Sequence, residues 1–288
     1  MKNDKLLNQI VIIAMFSALA CAGTFIQIRM PAGDFVHLSN FVMIVAALLL
    51  GGIAGGVSGA LGMGLYDIIF YTSKPSTILR TFILKFLVGF AVGTLFRLII
   101  KKDINSRKIL FGLSGLFIGI GILFTILFVL GDKSEFGFDN GLSSVYNNIF
   151  GSKNSFKISL YIPIFSYLFG IGTFVAAILA SKLSKRSMAA LVAVSVAIIV
   201  NIIGEFVLRW LLEGIMVSDF NTSIIVATSK IPGSFITGFI SVVLSVLIYE
   251  PIYRAVKHTG LFKDDTAKFD EDEKDDLIEL KEQTNETK

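Results

Sequence analysis

Eight long apolar runs, at roughly 8–28, 36–53, 54–72, 80–100, 109–131, 158–180, 188–212 and 233–256, alternate along the chain with short polar, charged segments. Each is close to the roughly 20 residues that an α-helix needs to cross a bilayer core. The pattern predicts an all-α, polytopic helical membrane protein of about eight spans. The second and third runs are fused into a stretch of about 36 residues, far too long for one span, and its Gly-Gly pair tolerates a turn, so the stretch is divided.

The segment from Arg29 to Arg97 organises the pattern. A short polar loop leads into an apolar run, then into the glycine-dense GGIAGGVSGALGMG and on to Asp67, an acid at the far end of that run. After a Pro-containing loop, the next run carries Lys85. Gly51, Gly55 and Gly59, with Gly52 and Gly56, repeat every four residues. On a helix this repeat forms a side-chain-free stripe against which another helix packs closely in lipid. An ionisable side chain within a span is costly, so Asp67 and Lys85 are expected to face the protein interior, either lining a functional site or pairing structurally.

Charge placement sets an expected orientation. Lys2, Lys5, Arg97, Lys101, Lys102, Arg107, Lys108, Lys182, Lys185, Arg186, Arg254, Lys257 and Lys263 fall on one side of the alternating spans. The other side holds Arg29, Lys74, Arg80, Lys133, Lys153, Lys157 and Lys230. The bias beside the span ends puts both termini in the cytoplasm and the protein in the cell membrane. The first run follows a Lys-bearing start, but its length and polar exit favour a transmembrane helix over a cleaved signal. Residues 1–263 are expected to form one integral-membrane domain. The loop from Gly131 to Lys157, rich in Gly, Ser and Asn, reads as a connector or a lid, and residues 264–288 as an acidic cytoplasmic tail without stable structure.

Composition agrees with the membrane reading: 54% of residues are hydrophobic, only 17% are charged, and mean hydropathy is +0.76. Soluble domains average about 25% charged residues. The net charge of +4 therefore reflects topology rather than a nucleic-acid partner. The only cysteine is Cys21, and the two histidines, His37 and His258, lie far apart, so neither an intrachain disulfide nor a metal site is expected. HExxH, GxSxG, GxxxxGK[ST] and CxxC are absent, so no catalytic residue or cofactor is assigned, and without a nucleotide-binding motif the chain cannot power primary transport alone.

Candidate chemistry converges on one leaflet. In the seventh run, Asn201, Glu205 and Arg209 fall four residues apart on one helical face, with Gly204 leaving room beside them. Glu205 and Arg209 suit an i,i+4 ion pair, and Arg209 and Trp210 suit the outer interface, where Arg snorkels. Asn201 and Glu205 lie deeper and face a cavity or a neighbouring helix. The first loop contributes Asp34, Phe35, His37, Ser39 and Asn40, the third span Asp67 and Tyr71, and the fourth Thr81 and Lys85. An outward-opening pocket with aromatic walls and a few polar groups suits a small polar or heteroaromatic solute. In the first span, Ala14 and Ala18, with Ser17 and Ala22 nearby, permit close approach of another helix.

Together these features resemble the substrate-binding S components of energy-coupling factor (ECF) vitamin transporters, nearest the riboflavin-type branch. The resemblance is carried by Ala14-x-x-x-Ala18, IRMPAGDFVHLSNFV, AALLLGGIAGGVSGALGMGLYDI and TFILKFLVGFAVG. It covers about 8–100 and, more loosely, 188–256. It implies a subunit that captures a vitamin or precursor from outside, with no catalysis of its own. That subunit would dock through Ala14 and Ala18 on a membrane-embedded T component served by two ATPase subunits. Phe35, His37, Asn40, Asp67, Tyr71, Thr81, Lys85, Asn201 and Glu205 become the candidate substrate contacts. The family usually has six spans, so about 109–180 reads as an inserted helical pair. HLSN stands where the branch often has a Gly-Asp-like pair, which leaves riboflavin, a thiamine or pyridoxine precursor and pantothenate open as cargo. A stand-alone transporter coupling a proton or sodium through Asp67 or Glu205 is the alternative, and a membrane enzyme or scaffold is a third.

Overall fold

The computed structural model describes residues 2–29, 35–131, 161–179, 183–217, 223, 226–227 and 230–257. The expectations for the connector beyond Gly131 and for the acidic tail lie outside the described residues. Eight helices and one hairpin follow in order: α1 Lys2–Phe25, β1 Gln27–Arg29, β2 Phe35–His37, α2 Ser39–Leu50, α3 Gly52–Phe70, α4 Pro75–Lys101, α5 Ser106–Gly131, α6 Tyr161–Ile178, α7 Lys185–Val217 and α8 Ile231–Val256. Among the described residues, six helices are long and apolar enough to cross a membrane, while Ser39–Leu50 and Ile162–Ile178 are shorter apolar helices. Large apolar side chains such as Leu19, Ile69, Leu123, Ile171, Ile203 and Leu247 stand exposed around the bundle. In water such a surface would be anomalous, whereas facing lipid it is the expected one.

Each predicted run is helical, but the second departs from a full span. Its first residues pair instead as β2, antiparallel to β1, with Gln27 opposite His37, Ile28 opposite Val36 and Arg29 opposite Phe35. Ile, Phe and Val favour strands, and the intervening Pro-Ala-Gly-Asp favours a reversal. The first loop is thus a hairpin, and α2 keeps only 12 residues. At 1.5 Å per residue it is about 18 Å long against a core of about 30 Å.

That short helix is the centre of the bundle. Nine of its twelve residues are buried, and α1, α3, α4 and α8 pack around it. A helix apolar on all sides belongs in such a position. It ends at Gly51, whose φ of +95° is open to glycine and strained for other residues. Arg97 of α4 donates to the Leu50 carbonyl at 2.9 Å, satisfying a helix-end acceptor and placing a cation at the negative end of the helix dipole.

The glycine stripes pack two faces of α3. Gly55 meets the Ala47 backbone of α2 so closely that a β-carbon would overlap it. On the α4 face, a β-carbon on Gly89 would lie 2.7 Å from the Gly56 Cα. Close backbone approach is the reason for glycine at both crossings. The α5–α6 pair packs chiefly on itself, with α5 also against α7 and α6 against α8. Ser114 donates to the Gly170 carbonyl at 2.8 Å, and Phe117 stacks on Phe169 at 5.1 Å between centroids.

Candidate substrate-binding cavity

Because α2 starts below the hairpin, the bundle is left open at that end. A cavity of about 740 Å³ occupies the space between the hairpin, α3, α4, α7 and the start of α8. Of the nine candidate residues, His37, Asn40, Asp67, Tyr71, Thr81, Lys85, Asn201 and Glu205 line it. Phe35 is placed as a strand residue opposite Arg29, but its side chain lies outside what the structure describes.

Helix α4 supplies the central wall. Pro75 starts it, as proline without an N–H readily does, and the next turns present Arg80, Thr81 and Lys85 inward. Thr81 donates to Asp67 Oδ2 of α3 at 2.5 Å. Lys85 donates to Asn201 Oδ1 of α7 at 3.0 Å. Gly204 accommodates the crossing, since a β-carbon there would lie 2.5 Å from Leu84 Cδ1.

Above these contacts lies a four-residue ion cluster. Arg209 reaches Glu205 at 2.5 Å and Glu213 at 3.3 Å, both one helical turn away on α7. Arg80 of α4 lies 3.5 Å from Glu205 and 3.8 Å from Glu213. Arg80 is 8% exposed, so its assignment to an outer loop is corrected. α4 begins at Pro75 rather than near residue 80, which draws the guanidinium into the bundle, where the two carboxylates offset its burial. The Glu205–Arg209 pair forms as expected. Arg209 does not snorkel to an interface, because Glu213 continues the four-residue ladder and holds it in the cavity wall. Arg80, Glu213, Gln27 and Tyr66 are lining residues missed in the sequence. The repeat Asn201, Glu205, Arg209, Glu213 was the available signal, hidden by ending the seventh run at about residue 212.

One side of the cavity is aromatic. Tyr66 lines it and packs edge-on to Phe25 at 5.1 Å, against Phe70 at 4.7 Å and near Tyr71 at 6.4 Å. Gln27 Nε2 donates to the Tyr66 hydroxyl at 3.3 Å, tying the hairpin to this wall. Where the hairpin meets α2, Ser39 and His37 Nδ1 share a short hydrogen bond. Burial, reinforced by the Lys85 ammonium, holds the His37 imidazole down to about 3, so it stays neutral. The buried Asn40 Oδ1 has no hydrogen-bond partner among the described residues. Neither α5 nor α6 contributes to the described lining.

Ala14 and Ala18 lie away from the cavity. Both are exposed on α1, in line with exposed Ala22, whereas Ser17 turns inward and bonds its own Ile13 carbonyl. Among the described residues no group of three or more acidic, His or Cys side chains gathers for a metal ion.

Residues 5–152 match the family model described as ECF-type riboflavin transporter, S component; this is just over half of the chain, from α1 past the end of α5. No curated protein and no solved structure matches. The match takes in the hairpin, the central α2, the glycine-lined α3 and the α4 wall, the elements that build most of the cavity. A multi-pass helical membrane protein, the chain belongs to the S-component family of ECF-type riboflavin transporters.

Proposed function

We propose that this chain is the substrate-capturing subunit of an ECF transporter, and that the cavity under the hairpin holds a vitamin or vitamin precursor, either riboflavin-like or a thiamine or pyridoxine precursor. The observation that carries this reading is the convergence of eight candidate side chains from the hairpin, α2, α3, α4 and α7 on one 740 Å³ space. Its size falls in the range of small-molecule sites, and its mix of an aromatic wall with few polar groups suits a heterocycle. Tyr66 and Tyr71 stack the ring system, while Asn40, Lys85 and Asn201 fix its polar edge.

In this reading the cavity opens outward and both termini are cytoplasmic, as the positive-charge bias favours. Uptake draws on ATP hydrolysed by two partner ATPases, and a T component receives the exposed Ala14–Ala18 face of α1. The α5–α6 pair is an accessory on the far side of α7 and α8, and its place outside the cavity lining supports that role. An ion-coupled carrier using Asp67 or Glu205 is less well supported, because both carboxylates are engaged by neighbouring donors.

The test is mass spectrometry of small molecules retained by detergent-purified protein, followed by titration of the best candidate. A vitamin-like compound bound between nanomolar and low micromolar affinity, roughly −12 to −8 kcal/mol, is expected. Lys85→Ala should weaken that binding by about tenfold or more, the loss of a charge-assisted hydrogen bond. Folded protein that retains nothing and binds no member of a broad vitamin panel would exclude the capture role.

A further inference from the structure

The cavity's charges fall into layers that cancel. At the base are Asp67 and Lys85, 9% and 8% exposed. In the middle are Arg80 and Arg209 with Glu205 and Glu213, their side chains between 10% and 21% exposed. Among the described lining residues, these six deep groups comprise three cations and three anions. Only Lys74, exposed, and Lys230, half-buried, add charge toward the mouth.

We propose that Glu205 and Glu213 are specificity determinants: by neutralising Arg80 and Arg209 they make this a site for a solute of no net charge, and they exclude its phosphorylated or carboxylated forms. This rests on the reading of the cavity as the capture site. A pair of buried guanidinium groups is ordinarily an anion receptor, because the fork of N–H donors matches phosphate and carboxylate oxygens. Here Arg209 hydrogen-bonds both glutamates, and Arg80 lies 3.5 and 3.8 Å from the same two oxygens as an ion pair, so both positive charges are already balanced. An entering anion has two options, and both are costly. It can remain uncompensated in a low-dielectric space, or it can displace a carboxylate that then stays buried beside it. Lys74 and Lys230 at the mouth do not reverse this, because charge exposed to solvent is screened.

The test compares riboflavin with riboflavin 5′-phosphate by titration, and follows thermal stability in millimolar inorganic phosphate as a readout that does not depend on the cargo. Wild-type protein should gain no saturable stabilisation from phosphate and should bind the ester on the order of 100-fold more weakly than its parent. Glu205→Gln leaves two arginines against the single carboxylate of Glu213, so it should create saturable phosphate stabilisation and narrow that ratio. Glu213→Gln should act in the same direction and decides the matter if the first variant does not fold. Refusal of both flavins, with the phosphate responses as stated, would count against riboflavin as cargo yet uphold the charge inference. Wild-type protein that binds phosphate saturably and loses it in Arg209→Gln, or that binds ester and parent equally, would overturn it.

Discussion

An acid and an amine within apolar spans are tolerated where other groups take up their hydrogen bonds. Asp67 accepts from Thr81 and Lys85 donates to Asn201, so each charge is anchored by a neutral partner on a neighbouring helix. That arrangement keeps both beside the cavity and accessible to a guest. His37 is handled differently, since its surroundings keep it uncharged, down to a value of about 3. In the unfolded chain it takes up a proton near 6.5, the ordinary value, while the folded protein resists until about 3. The unfolded state therefore binds more protons in that window, so this residue's contribution to stability is complete above pH 6.5 and is lost progressively as pH falls toward 3. Melting temperature measured against pH should decline less steeply over the upper part of this window in His37→Gln than in the wild type. Parallel profiles would mean that the imidazole is not held neutral.

At the scale of elements, the short α2 makes the cavity possible. The hairpin takes the residues that would have lengthened the helix, and the bundle is left hollow above Asn40. Its tight fit against α3 depends on Gly55. Gly→Ala in a helix ordinarily gains about 1 kcal/mol from propensity. Gly55→Ala should instead destabilise by roughly 1–3 kcal/mol, because the added carbon overlaps the Ala47 backbone. Gly112 on α5, where a β-carbon meets nothing within 4 Å, supplies the control, and Gly112→Ala should be neutral or stabilising. Thermal denaturation of the two variants in one detergent compares them directly; equal effects would remove the close-packing argument.

At the scale of the whole molecule, the cavity and the α1 face are separate surfaces. Ala14, Ala18 and Ala22 form an exposed smooth strip, while the lining residues belong to the hairpin and other helices, apart from Thr24 near the end of α1. Capture and docking should therefore be separable by mutation. The double substitution Ala14→Leu with Ala18→Leu should abolish co-purification with a T component and its ATPases, and leave ligand titration unchanged. Loss of both together would withdraw the docking assignment from this strip. The α5–α6 pair contributes nothing to the described lining of the cavity, and the family match runs past the end of α5.

What the chain determined by itself follows from local chemistry. Apolar length alone marks membrane helices, because backbone groups in lipid must be bonded within the segment. Glycines four apart mark close crossings, and isolated charges in apolar runs mark an interior site. From these and the polar groups near them, the helical architecture was legible, as was the gathering of eight of the nine candidate residues on one cavity. Tertiary structure decided the rest. The pairing of Phe35–His37 with Gln27–Arg29 shortened the second run into a buried central helix, an outcome no helical period could disclose because it depends on a partner strand. The roles of Arg80 and Glu213 depended on where α4 begins and α7 ends, and on each meeting an opposite charge from the other helix. A charge at the edge of an apolar run reads as a solvated end in sequence, and only the packing of two helices turned these into a neutral cluster in the cavity wall.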